Sequence, residues 1–153
     1  MKHHTGKSTM LIRRPVAEVF RAFVDPAMIT SFWLEATTGP LAKGAQVTWR
    51  FMVPGATETV TVTEFDDQRH IGIDWSTGIK VRMTFEAYGK DSTKLAVEAT
   101  GFQGENAEMD AVDATEGFTI VLCELKTFLE AGRSASLVKD KAELITASLQ
   151  SDT

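Results

Sequence analysis

The chain has 153 residues, the size of one domain, with 43% hydrophobic and 24% charged residues, the balance of a globular fold rather than a disordered one. Twenty-one acidic against sixteen basic residues give a net charge of −5, which argues against a nucleic-acid partner and against an anionic membrane surface. A single cysteine, Cys123, excludes an intramolecular disulfide and a cysteine-built zinc site.

No apolar run reaches the ~18 residues of a membrane span. Residues 1–10 are polar and lack the apolar core of a secretory signal. The expected location is therefore the cytoplasm. In chain order, residues 9–13 are short and apolar and read as a first strand. Pro15 then opens a helix, where proline is tolerated at the first position. Val16, Val19, Phe20, Phe23 and Val24 follow the i, i+3, i+4, i+7, i+8 spacing of one buried face. Asp25-Pro26 ends that helix and starts a second short one, with Asp25 as N-cap and Pro26 at the first helical position. Met28, Ile29, Phe32 and Trp33 are its apolar residues.

From 45 to 102 the apolar period changes to two. The alternating sets are Val47, Trp49, Phe51, Val53; Val60, Val62; Ile71, Ile73, Trp75; Ile79, Val81, Met83, Phe85; and Leu95, Val97, Ala99. Pro54-Gly55, Asp66-Asp67, Thr77-Gly78 and Gly89-Lys90-Asp91 fall between them as hairpin turns. Five successive strands, each with one apolar face, make an antiparallel meander. Charges on the polar face suggest registers. Pairing Trp75 with Val81 sets Asp74 opposite Arg82 and His70 opposite Glu86. Pairing Phe85 with Leu95 sets Arg82 opposite Glu98 and Glu86 opposite Lys94.

After Gly104 the period returns to 3.6. Asp113-Ala114-Thr115-Glu116 reads as a capping box with Asp113 as N-cap. Phe118, Val121, Leu122, Leu125, Phe128 and Leu129 form one long apolar stripe, and Gly132 stands where a helix-ending glycine belongs. Thr119, Cys123, Lys126 and Glu130 lie on the other side. The elements define an α+β fold: a curved antiparallel sheet of about six strands, two short helices after strand 1, and a long C-terminal helix across the apolar face. Residues 1–153 are expected to form a single domain, with a core over 8–132 and a polar tail or accessory helix over 133–153.

Chemistry is thinly supplied. Gly6-Lys7-Ser8-Thr9 imitates the end of a phosphate-binding loop, but Met1 stands where its first glycine is required. Of three histidines, His3 and His4 are adjacent, and neighbours in a strand point opposite ways, so no metal site is expected. A Cys123–His70 dyad would need residues from two outward faces that point apart. Asp110, Asp113 and Glu116 are acids near a helix start, where the dipole already favours them. No catalytic constellation and no cofactor are expected. The aromatic residues stand out instead. Trp33, Trp49, Phe51, Trp75, Phe85 and Phe118, with Leu122, fall on inward faces and are the candidate wall of a cavity between sheet and helix.

Arg14-Pro15-Val16-Ala17-Glu18-Val19-Phe20, Asp25-Pro26 and Phe32-Trp33 resemble the opening of the Hsp90 ATPase activator homologue family. Val62-Thr63-Glu64-Phe65, Ile73-Asp74-Trp75 and the run from Gly117-Phe118 to Gly132 match the same family's habits, so the resemblance covers about residues 8–132. That family belongs to the START-like, birch-pollen-allergen-like (Bet v 1-like, SRPBCC) superfamily. The resemblance implies a helix-grip fold, in which a bent sheet wraps the C-terminal helix and leaves an apolar cavity. It implies three kinds of function: binding of a hydrophobic or aromatic small molecule, a chaperone cofactor of the Hsp90 activator kind, or a polyketide cyclase or dehydratase. Homodimers also occur among helix-grip domains. The absence of polar catalytic groups favours a small cytoplasmic binding protein.

Overall fold

A computed structural model of the chain describes residues 3–151. The first strand, β1 (Gly6–Ile12), leads into α1 (Val16–Val24). Pro15 precedes the first helical residue, and its carbonyl accepts from the Glu18 and Val19 N–H groups. Val19, Phe20 and Phe23 are buried as the spacing predicts, with Val16 and Val24 at the flank. The chain turns at Asp25, whose side chain accepts from the Ala27 N–H at 2.9 Å and caps α2 (Pro26–Phe32).

Seven strands follow one another in space as β1-β7-β6-β5-β4-β3-β2, all antiparallel. The strands are β2 (Ala36–Thr37), β3 (Gln46–Arg50), β4 (Thr57–Asp66), β5 (His70–Trp75), β6 (Lys80–Tyr88) and β7 (Ser92–Thr100). The seventh strand beyond the expected six is β2, which pairs through Ala36↔Arg50 and Thr37↔Trp49 only. Two residues cannot show a period. The strand expected to run to Val53 ends at Arg50 instead, and residues 51–56 form a loop closed by the Phe51 N–H on the Ala56 carbonyl at 2.9 Å.

Register on β6–β7 is as the charges predict: Phe85↔Leu95, Arg82↔Glu98 and Glu86↔Lys94. The β5–β6 hairpin is not. Ile73, rather than Trp75, faces Val81; Asp74 faces Lys80 with an ion pair of 3.0 Å, and His70 faces Thr84. A slip of two residues keeps every side chain on its own face, so neither alternation nor charge distinguishes the two registers. The turn decides it. Gly78, at φ 93°, lets the chain reverse tightly, so that the Trp75 N–H bonds the Ile79 carbonyl at 2.8 Å.

The second layer is α3 (Ala107–Ala131), laid across the inner face. It begins after Asn106, so Asp113 is inside the helix and is not its N-cap. The early turns carry Ala107, Ala111 and Ala114, too small to mark an apolar stripe, whereas Phe118, Val121, Leu122 and Leu125 are buried as expected. Gly132 ends the helix at φ 70°, its N–H on the Phe128 carbonyl.

The side of α3 away from that stripe is engaged with β1. Ser8 Oγ and Thr119 Oγ1 are 2.9 Å apart, Thr115 Oγ1 accepts from the Lys7 N–H, Lys126 Nζ donates to the Leu11 carbonyl at 2.7 Å, and Glu130 accepts from the Arg13 N–H at 2.9 Å. Gly6 makes the approach possible, since a Cβ there would lie 3.1 Å from the Ala111 carbonyl oxygen and 3.2 Å from the Ala114 Cβ. The glycine of the phosphate-loop imitation is thus a packing residue.

The tail after Gly132 forms α4 (Leu137–Ser151), packed on α3 through the buried Ala142. Glu124 fixes its approach. This carboxylate, only 2% exposed, accepts from the Ser134 hydroxyl and from the Ala135 and Leu137 N–H groups at 2.9–3.0 Å. Among the described residues, no helix is long and apolar enough to cross a membrane.

Candidate functional site

The inner layer is aromatic along its whole length, in two joined groups. Phe20, Phe23, Phe32, Phe65, Phe85 and Phe128 meet edge-on or stacked at 5.0–6.4 Å. Trp33, Trp49, Phe51, Trp75 and Phe118 form the second group, with centroids 4.9–6.4 Å apart. Phe23 and Trp33, at 6.2 Å, link the two.

All of the second group except Trp49 border a cavity of about 370 Å³. Binding pockets for small molecules run from ~300 to 1,000 Å³ and are mostly apolar. The 51–56 loop supplies Phe51, Met52, Val53 and Ala56 on one side, because β3 ends early. Trp75 and Ala99 form the sheet wall with Ile79 and Phe102 just beyond the strand ends, and Trp33 enters from the end of α2. On α3 the lining includes Ala114, Gly117, Phe118 and Val121. Here the helix is thin: a Cβ built on Gly117 would meet nothing within 4 Å. Val138, Lys141, Ala142 and Ile145 of α4 complete the wall.

Of the residues expected to form the wall, Trp33, Phe51, Trp75 and Phe118 line the cavity. Trp49, Phe85 and Leu122 do not. Trp49 is 1% exposed and stands behind Trp33, Phe85 belongs to the phenylalanine group, and Leu122 lies a turn beyond Phe118 in the closed core. The α4 contribution went unread. Val138, Ala142 and Ile145 do have i, i+4, i+7 spacing, but Leu137 and Leu144 on another face blur that signal.

Among the described residues, Lys141 is the only one lining the cavity that has an ionisable side chain. Its ammonium pairs with Glu116 Oε1 at 2.5 Å across the α3–α4 seam, with Glu116 the more exposed partner. Asp110 and Asp113 stand exposed on α3 and do not line the cavity. The Trp75 indole N–H is buried without a hydrogen-bond partner. Glu58 is a buried carboxylate that the sequence reading passed over. It shares the inward parity of Val60 and Val62, and its Oε1 accepts from both the N–H and the hydroxyl of Ser76. It does not line the cavity. His70 stands at the start of β5 with Nδ1 3.9 Å from Glu64 and no hydrogen bond. Among the described residues, no group of three or more His, Cys, Asp or Glu is placed to hold a metal ion.

A sheet gripping a long helix, with an apolar cavity between them, defines a helix-grip domain of the START-like kind. A family model described as Activator of Hsp90 ATPase homolog 1-like protein matches residues 13–130, and the chain belongs to that family. Protein SSP2350 from Staphylococcus saprophyticus is 24% identical, with a TM-score of 0.76 over 85% of this chain and 94% of that one. The Aha1 dimer from Colwellia psychrerythraea is 14% identical, with a TM-score of 0.75 over 85% of this chain and 98% of its own. CalU16 from Micromonospora echinospora is 19% identical, with a TM-score of 0.67 over 97% of this chain and 96% of that one. These likenesses show the shared fold. Comparison with curated proteins finds no match.

Proposed function

We propose that this protein is a cytoplasmic binding protein that holds a hydrophobic small molecule between the sheet, α3 and α4. The observation that carries the reading is the cavity itself: about 370 Å³, walled by aromatic and aliphatic side chains, with Lys141 as its one ionisable group. Among the described residues, no carboxylate, histidine or cysteine lines it, so its walls offer shape and apolar contact rather than acid–base chemistry. Titration with the neutral fluorophore N-phenyl-1-naphthylamine tests it. One saturable site is expected, lost in Gly117→Leu, which places a side chain where a Cβ meets nothing within 4 Å. Absence of saturable binding, or binding indifferent to Gly117→Leu, would overturn the reading.

The family match supports a second reading, a chaperone cofactor that engages an Hsp90-type ATPase. The outer sheet face would supply the contacts, since it carries the Lys80–Asp74 and Arg82–Glu64 pairs. An unchanged ATPase turnover at saturating protein would remove this alternative.

A further inference from the structure

On the reading that the cavity takes a small molecule, its one charged wall residue narrows the class. We infer that the ligand is an amphipathic organic monoanion, its apolar body among the aromatic side chains and its anionic group on Lys141 Nζ at the α3–α4 seam.

Three observations carry this. First, the Lys141 side chain lines an otherwise apolar cavity, so its methylenes contribute wall while its ammonium stays at the rim. That ammonium is a compact positive charge, held in an ion pair with Glu116. Second, the ammonium has three N–H donors, and the one ionic partner the structure gives it is Glu116. Third, the two partners differ in exposure: the Glu116 side chain is 57% exposed and that of Lys141 is 35%. Glu116 is therefore free to turn into water when another anion arrives, at the small loss typical of exposed pairs.

A neutral body filling the cavity strips water from the ammonium and offers nothing in return. A carboxylate or sulfonate at the body's end replaces that water with a charge-assisted hydrogen bond. A second negative charge would find no second cation on the wall. A monoanion matches the charge available.

The test compares two probes with almost the same body, using the full chain. 8-Anilino-1-naphthalenesulfonate carries a sulfonate that N-phenyl-1-naphthylamine lacks. Both are expected to bind wild-type protein, and Gly117→Leu is expected to block both. In Lys141→Met the ratio of anionic to neutral affinity should fall about tenfold, the size of one lost charge-assisted contact. Lys141→Arg should restore the ratio, and Glu116→Gln should raise it by removing the competing carboxylate. A ratio unchanged in Lys141→Met overturns the inference and leaves the cavity reading standing. Equal losses for both probes also overturn it, since the lysine would then act through packing alone. If neither probe binds wild-type protein, the cavity reading fails and the inference falls with it.

Discussion

The two ends of the inner layer are both aromatic, yet one is solid and the other hollow. At the phenylalanine end, α1 and α2 press Phe20, Phe23 and Phe32 onto the sheet, and α3 meets them with Leu122, Leu125 and Phe128. At the tryptophan end, α3 offers Ala114 and Gly117, and α4 covers the gap from further away. Large rings alone do not fill a core; what faces them decides whether they are packing or walls. One helix makes the change within a few residues, from small side chains before Phe118 to large ones after it.

That contrast is easiest to break at the solid end. Phe23→Ala should cost about 3–5 kcal/mol in urea denaturation, because a well-packed site cannot collapse around the void. The half-buried Phe51 already borders empty space, so Phe51→Ala should cost less than half as much. Equal losses would mean that the cavity end is as tightly packed as the other. Glu124→Ala comes next. It removes the acceptor for three donors in the α3–α4 connection and should cost about 1–3 kcal/mol. Limited proteolysis should then cut residues 133–137 faster, while β1 and α1 stay protected.

Gly117→Ala should act in the other direction. A glycine inside a helix costs roughly 0.5–1 kcal/mol relative to alanine, and the added methyl meets nothing here. A rise in midpoint is expected, and a fall would show that the cavity is smaller than it stands. The smallest effect is at Glu130. Burial pushes its carboxyl up, but the Arg13 N–H, the Lys126 hydrogen bond and the nearby positive charges together hold it below the ordinary glutamate range. A carboxyl depressed in the folded state contributes stability above its unfolded value of about 4.3, and that contribution is lost as pH falls through the folded value. Glu130→Gln should therefore flatten the stability curve in that acid range and leave its slope near neutral pH unchanged.

The legibility of the sequence followed the size of side chains. Phe20, Phe23, Leu122 and Leu125 announced their faces because a large apolar residue recurs at a helical period. Ala107, Ala111 and Ala114 did not, and the start of α3 was read from Asp113 instead of Asn106. Ile73 and Trp75 have the same parity, so the face of each was readable while the partner of Val81 was set by Gly78. Four of the five aromatic wall residues were legible because Trp33, Phe51, Trp75 and Phe118 are large and inward. Lys141 was not, because what gives it meaning is the position of α4, and Glu124 fixes that from thirteen residues before Leu137.

The hydrogen bonds between α3 and β1 have a consequence for assembly. β1 is the last strand on its side of the sheet, and such a strand ordinarily offers its outward backbone groups to any passing chain. Here the Lys7 N–H and the Leu11 carbonyl are taken by Thr115 and Lys126 of the chain's own helix. At the opposite margin, β2 is two residues long and presents little to extend. An eighth strand would therefore find two of the backbone groups of β1 already taken by side chains, and at the other margin only two residues to pair with.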